Sequence, residues 1–179
     1  PIPLGTVPNQ NLHGIARADM IIVAPEAFAG PANQLAALHQ NNDGLTVVVV
    51  SPQQIYNEFS SGRQDITAIR SFAKMLYDRA TPGQEPRYLL LLGSSSFDYK
   101  YRIAGNANWV PTFQSPVSNN PILSYCADSY LGLLDDNEGA FAVNGPDRMD
   151  IAIGRMPAKT VQQAQDMVNK IVAYLDPNN

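Results

Sequence analysis

The chain has 179 residues, 45% hydrophobic and 16% charged, the proportions of one globular domain with a real core rather than a disordered segment. Its formal net charge is -4 and its 12 Lys and Arg residues are scattered, which argues against a nucleic-acid surface built on a clustered basic patch. The longest apolar runs, Leu45–Val50 and Tyr88–Leu92, are too short to span a bilayer.

From the N-terminus, the first apolar run is Asp19-Met-Ile-Ile-Val-Ala-Pro25, read as a strand. A helix is expected from Pro31 to His39, with Leu35 and Leu38 on one face and a break at Asn42-Asp-Gly44. Leu45–Val50 is continuous and β-branched, as in a parallel strand covered on both faces. Pro52 opens a short helix through Phe59. A longer helix is expected from Gln64 to Ala80, starting near Ser61 or Gly62, with a stripe of Ile66, Ile69, Phe72, Ala73, Leu76 and Tyr77.

Arg87-Tyr-Leu-Leu-Leu-Leu-Gly93 is the third strand. No periodicity marks Ser94 to Pro121, and a loop this long in a compact domain is usually functional or a partner surface. Tyr130–Leu134 and Met149–Ile153 read as further strands, separated by the Asp135-Asp-Asn-Glu-Gly139 turn. Thr160 caps a last helix whose stripe is Val161, Ala164, Met167, Val168, Ile171 and Val172, stopped at Asp176-Pro177. The pattern predicts an α/β fold of three layers, a mostly parallel sheet with helices on both faces and right-handed crossovers. Caspase-like and flavodoxin-like orders both fit it.

Candidate chemistry is sparse. Cys126 is the only cysteine, so an internal disulfide is impossible. A cysteine nucleophile needs a neighbouring imidazole. The two histidines, His13 in the N-terminal arm and His39 near a helix end, have no sequence relation to Cys126, so it is expected to be a structural residue, a small core hydrophobe rather than a nucleophile. Leu92-Gly-Ser-Ser-Ser96 lies at the carboxyl end of a strand, where ligands bind in open sheets. It lacks the glycine patterns of nucleotide loops and the Gly-x-Ser-x-Gly of a hydrolase elbow, and reads as a serine turn. Asp135, Asn137 and Glu138 are calcium candidates, because one short loop offers several oxygen ligands. The twelfth position of that loop is Pro146 rather than Glu, which leaves a solvated acidic hairpin as the competing reading.

Several segments together resemble one family. They include Pro8-Asn-Gln-Asn-Leu-His-Gly14, Ile55-Tyr-Asn-Glu-Phe-Ser-Ser-Gly62, Asp65-Ile-Thr-Ala-Ile-Arg70 and Lys74-Met-Leu-Tyr-Asp-Arg-Ala80. Phe97-Asp-Tyr-Lys100, Asp128-Ser-Tyr130, Leu134-Asp-Asp-Asn-Glu-Gly139 and Asp150-Ile-Ala-Ile-Gly-Arg-Met-Pro157 complete the set. The chain is similar to the gingipain family of cysteine peptidases, and within it to the sortases of the type IX secretion system of Bacteroidetes. The resemblance implies a caspase-like domain of two α/β subdomains, with the catalytic histidine in a Gly-His-Gly turn and the cysteine further on, both in the second. This sequence has no Gly-His-Gly, so no catalytic residue is carried onto it.

The implied organisation is an N-terminal arm at 1–18, a non-catalytic first subdomain at 19–176 and a link at 177–179. Pro-Ile-Pro-Leu at the start and Asp176-Pro-Asn-Asn at the end are expected to be cut points inside a longer protein. No signal peptide is legible, and this says nothing about compartment. By resemblance, the whole protein would cleave C-terminal secretion signals from cargo and transfer the new carboxyl end through a thioester, with this half inactive alone. Implied partners are the second catalytic subdomain, cargo C-terminal domains and other outer-membrane secretion components, at the surface of a Gram-negative cell. No cofactor other than calcium is expected. The alternative is a non-catalytic structural or binding module of a secretion assembly. Self-association is also expected, through a seam at Trp109–Tyr125 and an edge strand near Leu131–Leu134.

Overall fold

The computed structural model describes residues 9–115, 119–120, 122–139 and 147–175. The first eight residues of the arm, Pro146, the Asp176-Pro177 stop and the link at 177–179 lie outside the described residues.

Strand β1 (Met20–Val23) leads through a 3-10 turn into α1 (Ala29–Asp43), followed by β2 (Val47–Val50). Helix α1 runs longer than predicted at both ends. Asn42 and Asp43 remain helical, and the stop comes at Gly44, whose left-handed φ of 66° lets its N–H cap the His39 carbonyl. Helix α2 (Pro52–Phe59) begins in a capping box: Ser51 Oγ accepts from the Gln54 N–H, and Gln54 Oε1 accepts from the Ser51 N–H. Helix α3 (Ile66–Arg79) starts at Ile66, later than predicted. Ser61 and Gly62 both take positive φ in the α2–α3 turn, and Asp65 supplies the cap by accepting from the Thr67 N–H.

Strand β3 (Tyr88–Leu92) precedes a two-residue antiparallel hairpin, β4 (Phe113–Gln114) and β5 (Cys126–Ala127), absent from the sequence reading. Tyr130–Leu134 is not a strand. Asp128–Gly132 forms a 3-10 helix whose Tyr130 and Leu131, with Leu134 beyond it, are buried in the α3 core. The expected edge strand near Leu131–Leu134 is therefore absent, and that part of the predicted seam is interior. The last strand, β6 (Ala152–Met156), lies three residues later than predicted. The Asp150 N–H bonds the Gly132 carbonyl, and the Asp150 carboxylate accepts from the Leu134 N–H. These tethers hold 149–151 as a connector until the Ala152 N–H meets the Arg87 carbonyl. Helix α4 (Val161–Leu175) is capped by Thr160 Oγ1 as expected, although Val161 is exposed rather than part of the stripe.

The sheet order is β2-β1-β3-β6, every pair parallel, which is the flavodoxin-like order. Alternation along the strands divides the core: Ile21, Val23, Leu89 and Leu91 face α2 and α3, while Met20, Ile22, Leu90 and Leu92 face α1 and α4. The step from β1 to β2 runs opposite to that from β2 to β3, so crossovers of one hand put α1 and α2–α3 on opposite faces. The step from β3 to β6 continues the second direction. Its covering segment therefore falls on the α3 face, which is why Tyr130–Leu134 becomes a cover instead of a strand. Among the described residues no helix is long and apolar enough to cross a membrane.

Candidate functional site

In an open parallel sheet, the crevice for ligands lies beyond the carboxyl ends of neighbouring strands that send their connections to opposite faces. Here that position is between β1 and β3. Gly93 ends β3 with φ +145°, and a Cβ there would stand 2.8 Å from Trp109 Cβ, so only glycine permits the contact. Trp109 also tilts against Phe28, with ring centroids 5.1 Å apart. The Ser94 carbonyl accepts from the Trp109 N–H at 2.9 Å, and Ser94 Oγ donates to the Ala107 carbonyl. Residues 94–109 thus close on themselves as an Ω-loop over the sheet edge. The serine run is a tie within this loop, in agreement with its reading as a turn.

Arg155 on β6 organises what surrounds the crevice. Its Nε and Nη2 each lie 2.7 Å from an Asp128 oxygen, Nη1 donates to the Gly93 and Val110 carbonyls at 2.8 Å, and Nη2 also reaches the Pro111 carbonyl at 3.1 Å. The guanidinium thereby joins β3, the end of the Ω-loop and the turn after β5. Burial pushes the Asp128 carboxyl up, but Arg155, helped by the Thr112 hydroxyl at 2.8 Å, more than offsets this and holds it below its ordinary 3.8. Nothing local in the sequence announces a pair 27 residues apart.

A cavity of about 330 Å³ opens at the carboxyl ends of β1 and β2, walled by Glu26, Ser51, Gln53, Tyr56, Tyr101 and Trp109. The Tyr56 hydroxyl is buried with no hydrogen-bond partner among the described residues. Burial, with Tyr101 and Asp65 adding, pushes its phenol well up, so it stays protonated at neutral pH.

The residues singled out by sequence lie apart from this crevice or from one another. Cys126 is not the core hydrophobe expected from the sequence: it is exposed on β5, paired across the two-stranded hairpin with Gln114, because the short β4–β5 ladder lies outside the main sheet and its core. His13 Nδ1 lies 2.7 Å from Glu58 and its ring stacks on Phe59. His39 Nδ1 lies 2.6 Å from Asp43 on the same helix. Each ring therefore engages a carboxylate on α2 or α1, and neither bonds the thiol. Glu58 also accepts from the Leu12 N–H and the Gln10 amide. Burial pushes its carboxyl up, but these bonds, with those from His13, together outweigh that, hold it down at about 2 and fasten the arm to α2.

Asp135 and Glu138 converge with Asp150, each offering a carboxylate oxygen within 4.8 Å of the others. Asn137 is exposed in the turn between the first two. Asp150 was not foreseen, because it reaches the turn only through the tether to Leu134. Glu138 already accepts from the Arg148 N–H at 2.7 Å, and Asp150 from the Leu134 N–H at 2.7 Å. From α3, Arg70 donates to the Leu133, Asp135 and Glu138 carbonyls, and Lys74 to the Leu134 carbonyl and to Asp136. Burial lowers the Lys74 ammonium, but its bonds to Asp136 and Asp78 outweigh that and raise it. The three carboxylates suit a hard divalent cation in type, while a calcium shell needs three or more further oxygens.

The family model described as Peptidase family C25 matches residues 15–179. The crystal structure of dimeric latent PorU from Porphyromonas gingivalis is similar to this chain at 38% identity, with a TM-score of 0.80 over 96% of it. The match covers 17% of the PorU chain, so the present chain spans about a sixth of that relative. No curated protein matches the chain.

Proposed function

From the premise that this chain belongs to peptidase family C25, the gingipain family, we propose that it is the non-catalytic first subdomain of a type IX secretion sortase. In this reading it supports a second subdomain, which carries the cysteine and histidine, and shapes one wall of the substrate cleft. The cargo would be proteins with C-terminal secretion signals, met at the cell surface or outer membrane of a Gram-negative bacterium alongside other secretion components. The observation that carries the reading is the 38% identity to PorU along 96% of the chain. The crevice supports it: Arg155, Asp128 and the Ω-loop form a hydrogen-bonded wall at the sheet edge, and among the described residues neither histidine bonds Cys126.

The test uses the purified chain with a type IX cargo tail and a thiol-directed activity probe. Neither cleavage nor transfer of the tail is expected. Cleavage that disappears in Cys126→Ala would overturn the assignment. The parent reading frame beyond Asn179 offers an independent check, since a Gly-His-Gly turn and a later cysteine are expected there.

A further inference from the structure

Between Ser94 and Tyr125 the sequence contains three charged residues, Asp98, Lys100 and Arg102. The structure turns them in opposite directions. Asp98 is only 8% exposed, and its carboxylate accepts from the Ile103 N–H at 2.7 Å inside the Ω-loop. Lys100 and Arg102 point outward around a concave surface with Phe97, Tyr99 and Ile103. Phe97 is 69% exposed, and Tyr99 and Ile103 are each more than half exposed. Apolar and cationic side chains thus alternate from 97 to 103. Tyr101, also more than half exposed, differs in that its hydroxyl donates to the Asn108 carbonyl and the residue lines the cavity beside Trp109.

A second tip lies beside the first. Gln114 on β4 donates to the Phe97 carbonyl at 2.9 Å, joining the β4–β5 hairpin to the loop. That hairpin exposes Ile122, at 90%, together with Leu123 and Tyr125. The two tips therefore show six large apolar side chains and two cations, with no outward carboxylate, on a chain whose net charge is -4.

We propose that this end of the molecule is a peripheral membrane-docking surface, in which the Phe97–Ile103 loop and the Ile122–Tyr125 tip enter the interface of a bilayer bearing anionic headgroups. The apolar groups reach the acyl boundary, while Lys100 and Arg102 extend their stems back to headgroup phosphates. Charge favours the anionic surface, since between 94 and 125 the two cations are exposed while Asp98, the one carboxylate of that stretch, is buried. Shape favours a bilayer over a folded protein. The six side chains present roughly 720 Å² at about 200 Å² per fully bare large side chain, and that area is divided between two tips. A stable protein interface takes about 800 Å² from each partner in one continuous patch.

Co-sedimentation with sonicated vesicles tests this, comparing phosphatidylcholine alone with phosphatidylcholine containing phosphatidylglycerol. The chain is expected to partition preferentially to the anionic vesicles, and less at high salt. Lys100→Gln with Arg102→Gln should reduce that partition about 25-fold, at the usual contribution of one basic residue near an anionic surface. Phe97→Ser with Ile122→Ser should weaken binding to both vesicle types, and unchanged circular dichroism and melting would show that these exposed positions leave the fold intact. Equal binding to both vesicles, or full binding by either variant, overturns the proposal. Absence of vesicle binding also overturns it, and leaves the surface to an acidic protein partner.

Discussion

Replacing Arg155 by Met keeps most of the side-chain volume and removes the charge and all five N–H donors. Asp128 then retains only the Thr112 hydroxyl among its side-chain partners, and the Gly93, Val110 and Pro111 carbonyls lose this donor. The Arg155 side chain is 12% exposed and that of Asp128 26%, so water rescues the abandoned groups only in part. Breaking a buried pair from one side costs about 3–5 kcal/mol. The partial exposure of Asp128 places this case at the lower end, about 3 kcal/mol. For a domain of this size that corresponds to a fall of roughly 6–12 °C in Tm.

Urea unfolding at pH 7, followed by circular dichroism, measures the loss directly. The acid limb provides a second readout. Because Asp128 titrates lower in the folded than in the unfolded chain, its contribution is fully present above the unfolded value near 3.8 and disappears as pH falls through the folded one. The gap between wild type and Arg155→Met should therefore narrow below pH 4. Replacing both partners, Arg155→Met with Asp128→Leu, should recover part of the loss. A single-variant cost below about 1 kcal/mol would refute the reasoning, because the hub would then behave as a screened surface pair.

Glu58, held at about 2 in the folded chain against an ordinary 4.5, stabilises the arm above pH 4.5 and loses this effect as pH falls toward 2. Glu58→Gln should accelerate amide exchange at Leu12 and His13 strongly at pH 6 and much less at pH 2.5, where the approach to the folded value has already removed most of the effect. Gly93→Ala should cost about 1–3 kcal/mol in urea unfolding, from positive-φ strain and the 2.8 Å clash with Trp109; an unaltered midpoint would mean that Trp109 moves aside freely. Asp135, Glu138 and Asp150 are proposed to hold calcium, with Asn137 completing the turn's oxygens. Millimolar calcium should raise Tm by linkage, and the rise should vanish in Asp150→Asn. Melting curves that coincide with and without calcium would assign the trio to structural tethering alone.

The sheet strands and helices were legible where a local period carries the information. The unbroken β-branched run of β2 and the leucine run of β3 announced strands covered on both faces, and the three- and four-residue stripe of α3 announced its buried side. Ser51 with Gln54, and Thr160, carry caps within four residues of what they cap. Tyr130–Leu134 misled because a buried 3-10 cover and a buried strand have the same apolar composition. The strand order and crossover hand, both non-local, decide which one forms. The extent of β6 was displaced for a similar reason, since Asp150 is held out of the ladder by Leu134 and Gly132, 16 and 18 residues away. Residue type marked Asp135 and Glu138 as possible ligands, yet Asp150 joins them only through that tether. Periodicity reports how a segment meets its own neighbours along the chain. The convergence of Arg155, Asp128 and the end of the Ω-loop depends on which strands lie side by side, and only the folded sheet determines that.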